Sequence, residues 1–398
     1  MVTKTLSEVL TNPPMYGLNA AACDYTNGAS RYIRITDITD DGKYFPTDNA
    51  YVLSDDERYL LQSNDIVLAR TGASVGKSYL YSEKDGKLIF AGFLIRVSID
   101  PQQADSRFIF ECFHTKQYWD WVRSESARSG QPGINGQQYA SYELQLPPLS
   151  EQRAIAAALS DTDAYIAALE KLITKKRAVK QGAMQELLTG KRRLPGFSGE
   201  WAEKPLGELS EIRMCKRIFS EQTSESGDVP FFKIGTFGKE PDAYIPHHLY
   251  EEYREKYSFP QKGDILLSAA GTLGRTVIYD GKPSYFQDSN IVWLELYKTM
   301  FCNEYLYHYY QVIEWASPEG STISRLYNGI IRDTTIKLPP TLDEQTAIAE
   351  VLSDMDAEID SLTMKMNKAK RIKQGMMSEL LTGRIRLIEE GERHGEKH

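Results

Sequence analysis

SEQRAIAAALSDTDAYIAAL, residues Ser150 to Leu169, returns 193 residues later as DEQTAIAEVLSDMDAEIDSL, Asp343 to Leu362. The match continues without a gap: QGAMQELLTGKRRL from Gln181 is answered by QGMMSELLTGRIRL from Gln374. Leu-Pro-Pro precedes each copy, at Leu146–Pro148 and Leu338–Pro340. Agreement this long at one offset marks an internal duplication, which organises the rest of the chain.

Each copy reads as one long helix. Ser150 and Asp343 share a repeat position and are expected as N-caps, whose side-chain oxygens accept from the first free backbone N–H groups. The prolines ahead of them hold the incoming chain extended. Gly190 and Gly383 follow the last leucines, where a left-handed residue would stop the helix. That gives roughly 38 residues, about 57 Å, per helix. Apolar positions alternate in steps of four and three. They are Ile155, Leu159, Thr162, Ile166, Leu169 and Ile173 in the first copy, and Ile348, Leu352, Met355, Ile359, Leu362 and Met366 in the second. So narrow a seam suits a coiled coil, and one helix cannot bury it alone. The expected cover is the other copy, paired antiparallel so that a pseudo-two-fold axis relates the halves. Two independent core helices are the alternative.

The intervening segments are of similar length, and both show short β-branched and aromatic runs broken by Gly, Pro and Asn. They are distantly alike. RYIRITDI (Arg31–Ile38) resembles PFFKIGTF (Pro230–Phe237), and NDIVLARTGASVGKS (Asn64–Ser78) resembles GDILLSAAGTLGRT (Gly263–Thr276). Both end in an aromatic, amphipathic stretch, Phe108–Val122 and Tyr305–Trp315. The expected fold class is mixed α+β. Two α/β domains, residues 1–149 and 194–342, are separated by helices in 150–193 and 343–387, with a polar tail over 388–398.

Composition is ordinary for a globular chain of 398 residues, 41% hydrophobic and 26% charged. No apolar run is long enough to span a bilayer and no apolar signal core opens the chain, so a cytoplasmic protein is expected. Cys23, Cys112, Cys215 and Cys302 form no CxxC pair, and six scattered histidines make no zinc pattern. The net charge of −8 hides local fields. Eight Lys/Arg accompany a single Glu186 between Lys171 and Arg193, and seven accompany Glu379 between Met364 and Arg386. Each run reads as a solvated helix face or as a site for an acidic partner.

Three motifs invite chemistry. Gly72-Ala-Ser-Val-Gly76-Lys77-Ser78 looks like a phosphate loop but has three residues between its glycines where that loop needs four. It is expected either to present N–H groups and a cation to a DNA phosphate or to be a structural turn. Asn12-Pro13-Pro14-Met15 approaches the Asn-Pro-Pro-aromatic motif of adenine methyltransferases, yet Met15 cannot stack on a base as the aromatic would. Asp161 and Asp163, like Asp354 and Asp356, are two apart on a helix and point to different faces, which suits solvent or a partner better than a metal.

With both repeats in view, LPPLSEQ at Leu146 and LPPTLDEQ at Leu338, each followed by a helix ending in ELLTG, resemble the specificity subunits of type I restriction–modification systems. The resemblance covers almost the whole chain. The second motif departs from the first by one inserted residue, Leu342, expected to alter that domain's entry to its helix. The resemblance implies two target-recognition domains reading the halves of a split double-stranded DNA site, held apart by a coiled coil. It also implies two docked modification subunits, which carry S-adenosylmethionine and methylate adenine, and restriction subunits that can join with ATP and Mg2+. This chain would then bind no cofactor and catalyse nothing. Contacts to bases and phosphates are expected from domain loops. In the first domain these are Arg34, Thr36, Arg70, Thr71, Lys77, Gln131, Asn135, Gln137 and Gln138. In the second they are Lys233, Thr236, Ser268, Thr272, Arg275, Arg325 and Asn328.

If the paired helices set the distance between half-sites, adding a heptad near Ile166 and near Ile359 lengthens each helix by about 10 Å. The preferred gap should then grow by up to about three base pairs, at about 3.4 Å each. Methylation of targets differing only in gap length reads this out. An unchanged gap in a well-folded variant would show that the helices are not the ruler.

Overall fold

The computed structural model describes residues 1–46, 48–54, 56–127, 131–315 and 325–387. It divides into two compact units, one formed by Met1–Glu170 together with the chain from Met364, the other by Lys171–Thr363. Each unit takes the first half of one repeat helix and the second half of the other.

In the first unit the strands are β1 (Val2–Thr5), β2 (Met15–Tyr16), β3 (Ser30–Ile33), β4 (Tyr51–Val52), β5 (Asp65–Ala69), β6 (Ser78–Leu80), β7 (Leu88–Phe90), β8 (Leu94–Ser98) and β9 (Glu143–Leu146). Helices α1 (Ser106–Cys112), α2 (Lys116–Ser126) and α3 (Gly136–Ala140) precede the long α4 (Leu149–Leu187). The second unit has β10 (Ala202–Pro205), α5 (Leu206–Leu209), β11 (Ser210–Arg213), β12 (Val229–Phe232), β13 (Tyr244–Ile245), α6 (His247–Lys256), β14 (Ile265–Ser268), β15 (Thr276–Ile278), β16 (Tyr285–Phe286) and β17 (Ile291–Leu296). It closes with α7 (Asn303–Tyr309), α8 (Asn328–Asp333), β18 (Thr335–Leu338) and the long α9 (Leu342–Leu380).

The strand orders of the two units are the same. Unit one has sheets β1-β9, β2-β8-β5-β6 and β4-β3-β7; unit two has β10-β18, β11-β17-β14-β15 and β13-β12-β16. Even the one parallel ladder recurs, β3 with β7 and β12 with β16. The faint likeness of the intervening sequences therefore conceals a strand-for-strand duplication. β1 pairs with β9 in the register Val2↔Leu146, and β10 with β18 in the register Ala202↔Leu338, so each domain is clasped just before its long helix begins.

Each helix is 39 residues long. Their starts correct two expectations. Leu149 and Leu342 open the helices, so Ser150 and Asp343 lie inside the first turn and are not caps. The residue inserted in the second copy is accordingly Thr341, not Leu342. Thr341 takes the capping position: its Oγ1 accepts from Glu344 N–H at 3.3 Å and its carbonyl from Gln345 N–H. Pro148 fills that place in the first copy, accepting only through its carbonyl. The other ends behave as expected, since Gly190 and Gly383 both adopt φ of +71°.

Within each unit the helix halves run antiparallel. Lys370 pairs with Glu170 at 2.7 Å and Lys373 with Asp163 at 2.8 Å in the first unit. Lys176 pairs with Glu358 at 2.7 Å and Lys180 with Asp356 at 2.6 Å in the second. Asp163 and Asp356 thus face the partner helix. The seam does more than join helices: Ile155 and Leu159 lie in one core with Leu6, Phe108 and Leu380, and Ile348 and Leu352 in another with Leu209, Tyr305 and Leu187. In each unit one core cluster serves domain and helices together, while further clusters, around Ile33 and Phe90 and around Val229 and Tyr285, lie within the domains.

The Glu-Gln of the repeat explains how the domain is locked to its helix. Glu151, 1% exposed, receives Arg386 at 2.5 Å, and Glu344 receives Arg193 at 2.6 Å. Gln152 accepts from the N–H of Asp105, the N-cap of α1, at 3.0 Å and donates to Pro147 O at 2.9 Å. Gln345 accepts from the N–H of Cys302, the N-cap of α7, at 3.2 Å and donates to Met300 O at 2.9 Å. At the matching place on α1 and α7 the units differ: Glu111 meets Lys373 at 3.4 Å, while His308 lies beside Asp356 and bonds Ser353 at 3.0 Å. Burial, and secondarily the Lys180 charge, push the His308 imidazole down to about 4, so it stays neutral near pH 7.

Among the described residues no helix is long and apolar enough to cross a membrane. Replacing Gln152 or Gln345 with Leu, which fills similar space, leaves a buried N–H and a buried carbonyl without partners. Denaturant unfolding should show a loss of about 1–3 kcal/mol for either variant. The same change at exposed Gln374 should stay within about 0.5 kcal/mol.

Candidate nucleic-acid interface

Strands β5 and β6 are antiparallel, Ile66 opposite Leu80, and the loop joining them is the Gly72–Ser78 motif. A loop that turns from strand to strand, with only a 3-10 turn at Gly72–Ser74, opens no α-helix, so it lacks the helix N-terminus that a nucleotide phosphate loop uses. Gly72 has φ of +72° and Gly271, in the matching β14–β15 loop, has +68°, a backbone state that glycine adopts without strain.

Two further segments bind each loop. Arg70 N–H donates to Phe93 O at 3.0 Å, Ile134 N–H to Arg70 O at 2.9 Å, and Gly72 N–H to Pro132 O at 3.0 Å. In the second unit Ala269 N–H donates to Asn290 O and Leu326 N–H to Ala269 O, both at 2.8 Å. Isolated bridges Thr71↔Gly133 and Ala270↔Arg325 complete the correspondence. Each unit thus gathers the hairpin loop, the turn before the central strand β8 or β17, and the segment entering α3 or α8.

The side chains expected at the interface fall into groups. Arg70, Thr71, Gln131, Asn135, Gln137 and Gln138 converge in the first unit. The Arg70 guanidinium lies 4.8 Å from the Tyr16 ring centroid. Asn135 and Gln138 form the capping box of α3, each accepting from the other's N–H at 2.9 Å, and Gln138 also donates to Glu125 at 3.0 Å. Gln131, Gln137 and Thr36 are exposed. Thr71 occupies the N-cap position of the loop's short 3-10 turn without a side-chain cap bond, and its hydroxyl donates to Pro132 O at 3.4 Å. Arg34 is held by the buried Asp37 at 3.0 Å and by Asp48 at 2.5 Å. Hydrogen bonding to Asp37, then to Asp48, holds its guanidinium firmly charged against the opposing pull of burial. Lys77 pairs with Asp40 at 2.8 Å.

In the second unit Ser268 is a correction. It is 1% exposed, and its hydroxyl donates to Thr272 O at 2.5 Å while accepting from Arg275 N–H at 2.9 Å. The local sequence, Leu267-Ser268-Ala269-Ala270-Gly271, fits a buried loop staple and an exposed serine equally well. Arg275 donates to Phe237 O at 2.9 Å and Arg325 to Ser289 O at 3.2 Å. Lys233 pairs with Asp242 at 2.9 Å, and its N–H donates to Thr236 Oγ1 at 3.1 Å, closing that turn. Thr272 and Asn328 are exposed.

Sequence reasoning missed Tyr16. With Asn12, Pro13, Pro14, Asn135 and Gln137 it lines a cleft of about 620 Å³, and its hydroxyl accepts from Gly136 N–H at 3.0 Å. The available signal was an aromatic one place beyond the Asn-Pro-Pro-Met stretch. Tyr327, 56% exposed and 5.9 Å from the Arg325 guanidinium, is the analogous omission in the second unit. Among the described residues no group of three or more His, Cys, Asp or Glu comes together to hold a metal. Burial pushes the Cys215 thiol up to about 12 and Cys112 higher still, so neither is a nucleophile.

A family model for the type I restriction modification DNA specificity domain matches residues 2–181 and again 198–371. The chain therefore belongs to the type I restriction–modification specificity-subunit family and carries two tandem specificity domains. It is the DNA sequence-specificity component of such a system, a non-catalytic role. A type I restriction enzyme specificity subunit of Haemophilus influenzae is 54% identical over 158 residues, 40% of this chain and 41% of that protein. The chain thus matches under half the length of that relative. The MjaVIII specificity subunit of Methanocaldococcus jannaschii is 26% identical over 85% of this chain and 83% of its own. The type I system S subunit from M. genitalium has a similar fold, with TM-score 0.63 at 15% identity over 95% of both chains. A chain from a structural study of type I R-M complex assembly and conformational transition gives 0.56 at 20% identity, over 96% of this chain and 98% of its own.

Asn135→Ala removes the α3 cap. It should lower stability by about 1 kcal/mol, whereas Gln137→Ala, with an exposed side chain, should leave stability unchanged. Thermal melting of the two variants checks this assignment.

Proposed function

We propose that the two units read different halves of an asymmetric, bipartite double-stranded DNA target, through recognition domains spanning residues 1–149 and 194–342. One observation carries the reading. The same three-segment loop cluster is built twice on identical strand orders, yet its side chains differ at nearly every matching place. Identical frames with unlike side chains suit unlike half-sites, in contrast to a homodimer and its palindrome. The exposed polar residues of the clusters would reach base edges while the cations fix register on phosphates.

The duplicated helices present two related surfaces, which suits two copies of one modification subunit. Those subunits would supply S-adenosylmethionine and transfer methyl groups to adenine. Restriction subunits, where present, would add ATP- and Mg2+-dependent cleavage. The setting is the cytoplasm, where chromosomal DNA is found. A nucleotide-hydrolysing enzyme finds no support in a strand-to-strand glycine loop, and a scaffold that binds only proteins leaves the duplicated loop clusters unexplained.

The purified chain alone should show neither ATP hydrolysis nor methyl transfer, and methylation should appear on adding the modification subunit. Exchanging residues 1–145 for a relative's domain should change one half of the methylated target and leave the other half and the gap intact. An exchange that altered both halves, or turnover by the lone chain that Lys77→Ala abolished, would overturn the proposal.

A further inference from the structure

We infer that Arg70 is the side chain with which the first unit reads a guanine, and that Tyr16 is the residue that positions it; this rests on the DNA-reading function proposed above. Arg70 opens the β5–β6 loop at a place where the backbone is tied on both sides, by Phe93 O and by Ile134 N–H. Its Cα is therefore fixed by two neighbouring segments. Its guanidinium is not held in the same way. Arg34, Lys77, Lys233, Arg275 and Arg325 each have an oxygen partner. Among the described residues the Arg70 guanidinium has no hydrogen-bond or ion-pair partner, and its close neighbour is the Tyr16 ring, 4.8 Å away.

Tyr16 is itself a fixed shelf. It belongs to β2, paired with Ile95 of β8, and its hydroxyl is anchored by Gly136 N–H. A guanidinium laid on an anchored ring keeps its N–H donors in one plane and loses little freedom on binding. That planar fork matches O6 and N7 of guanine in the major groove, the bidentate pairing for which Arg is best shaped. A phosphate contact needs the charge and makes less use of the plane, and Lys77 and Arg34, already beside carboxylates, show that cations elsewhere in this unit are held otherwise.

The second unit lacks this arrangement. Ala269 makes the backbone bonds that Arg70 makes, and the guanidinium at the matching bridge comes from the opposite segment, as Arg325, with an N–H already given to Ser289 O. The guanine preference set here belongs to one half-site alone.

The test uses the complex assembled with its modification subunits and the target mapped from methylated genomic DNA. Binding and methylation are measured on duplexes carrying each base pair at every position of both half-sites, at two salt concentrations. At one position of the half-site that follows residues 1–145, G·C should be preferred by about 10–100-fold, and Arg70→Gln should erase that preference there alone. Arg70→Lys, which keeps the charge and loses the fork, should weaken it and answers the question if the Gln variant folds poorly. Tyr16→Leu should shrink the same preference while leaving the preferences at other positions near wild type, with a lower melting temperature of the complex from the lost Gly136 N–H bond. Uniform weakening across all base pairs with a salt slope reduced by about one would make Arg70 a phosphate contact and overturn the inference. So would an unchanged preference. Failure of the wild-type complex to discriminate any DNA sequence would instead overturn the function proposed above.

Discussion

A carboxylate buried at the start of each long helix, met by a guanidinium from the far end of the other, is the interaction on which the rest depends. Glu151 with Arg386 and Glu344 with Arg193 are equivalent pairs 193 residues apart. Removing the arginine would leave the buried carboxylate without its charge partner, which is far more costly than losing a surface pair. The neighbouring Gln152 and Gln345 tie the same turn to the first turn of α1 and α7. Two adjacent residues therefore fasten domain, helix and opposing helix at a single point.

From that anchor the loop clusters follow. The clasp strands β1–β9 and β10–β18 bring both ends of each domain to its helix, and the four-stranded sheet then carries its hairpin loop to a defined place. Backbone hydrogen bonds, which ignore side-chain identity, fix the three segments of each cluster. Side chains are free to vary on them without loss of the frame. A chain that must read new sequences and keep its partners benefits from this separation, because variation at Arg70 or Thr272 does not touch the helix anchor.

Of the six cations named above, three are held beside carboxylates and two, Arg275 and Arg325, donate to backbone carbonyls. Lys77 with Asp40, Lys233 with Asp242 and Arg34 with Asp37 reduce the local positive field, in keeping with a net charge of −8. Partners and bases must then be distinguished by shape and hydrogen bonding more than by bulk charge. Arg70 differs from all five in having the Tyr16 ring as its close neighbour and no oxygen partner among the described residues.

The sequence by itself determined the duplication, the two long helices, their glycine stops and the order domain, helix, domain, helix, because those features rest on local signals and on identity at one offset. The glycine-rich turns between strand-like runs were legible as loops for the same reason. Tertiary structure decided the rest. Only packing showed that the helix seam belongs to the domain cores, because periodicity says that a face is covered and not by what. Only the observed helix starts moved the caps from Ser150 and Asp343 to Pro148 and Thr341. Asn135, Ser268 and Arg34 read as candidate DNA contacts; the fold shows Ser268 buried and Asn135 and Arg34 half-buried on partners in their own turns. Tyr16 and Arg70 are 54 residues apart in the chain, and nothing local links them; the pairing of β2 with β8 and of β8 with β5 brings ring and guanidinium together.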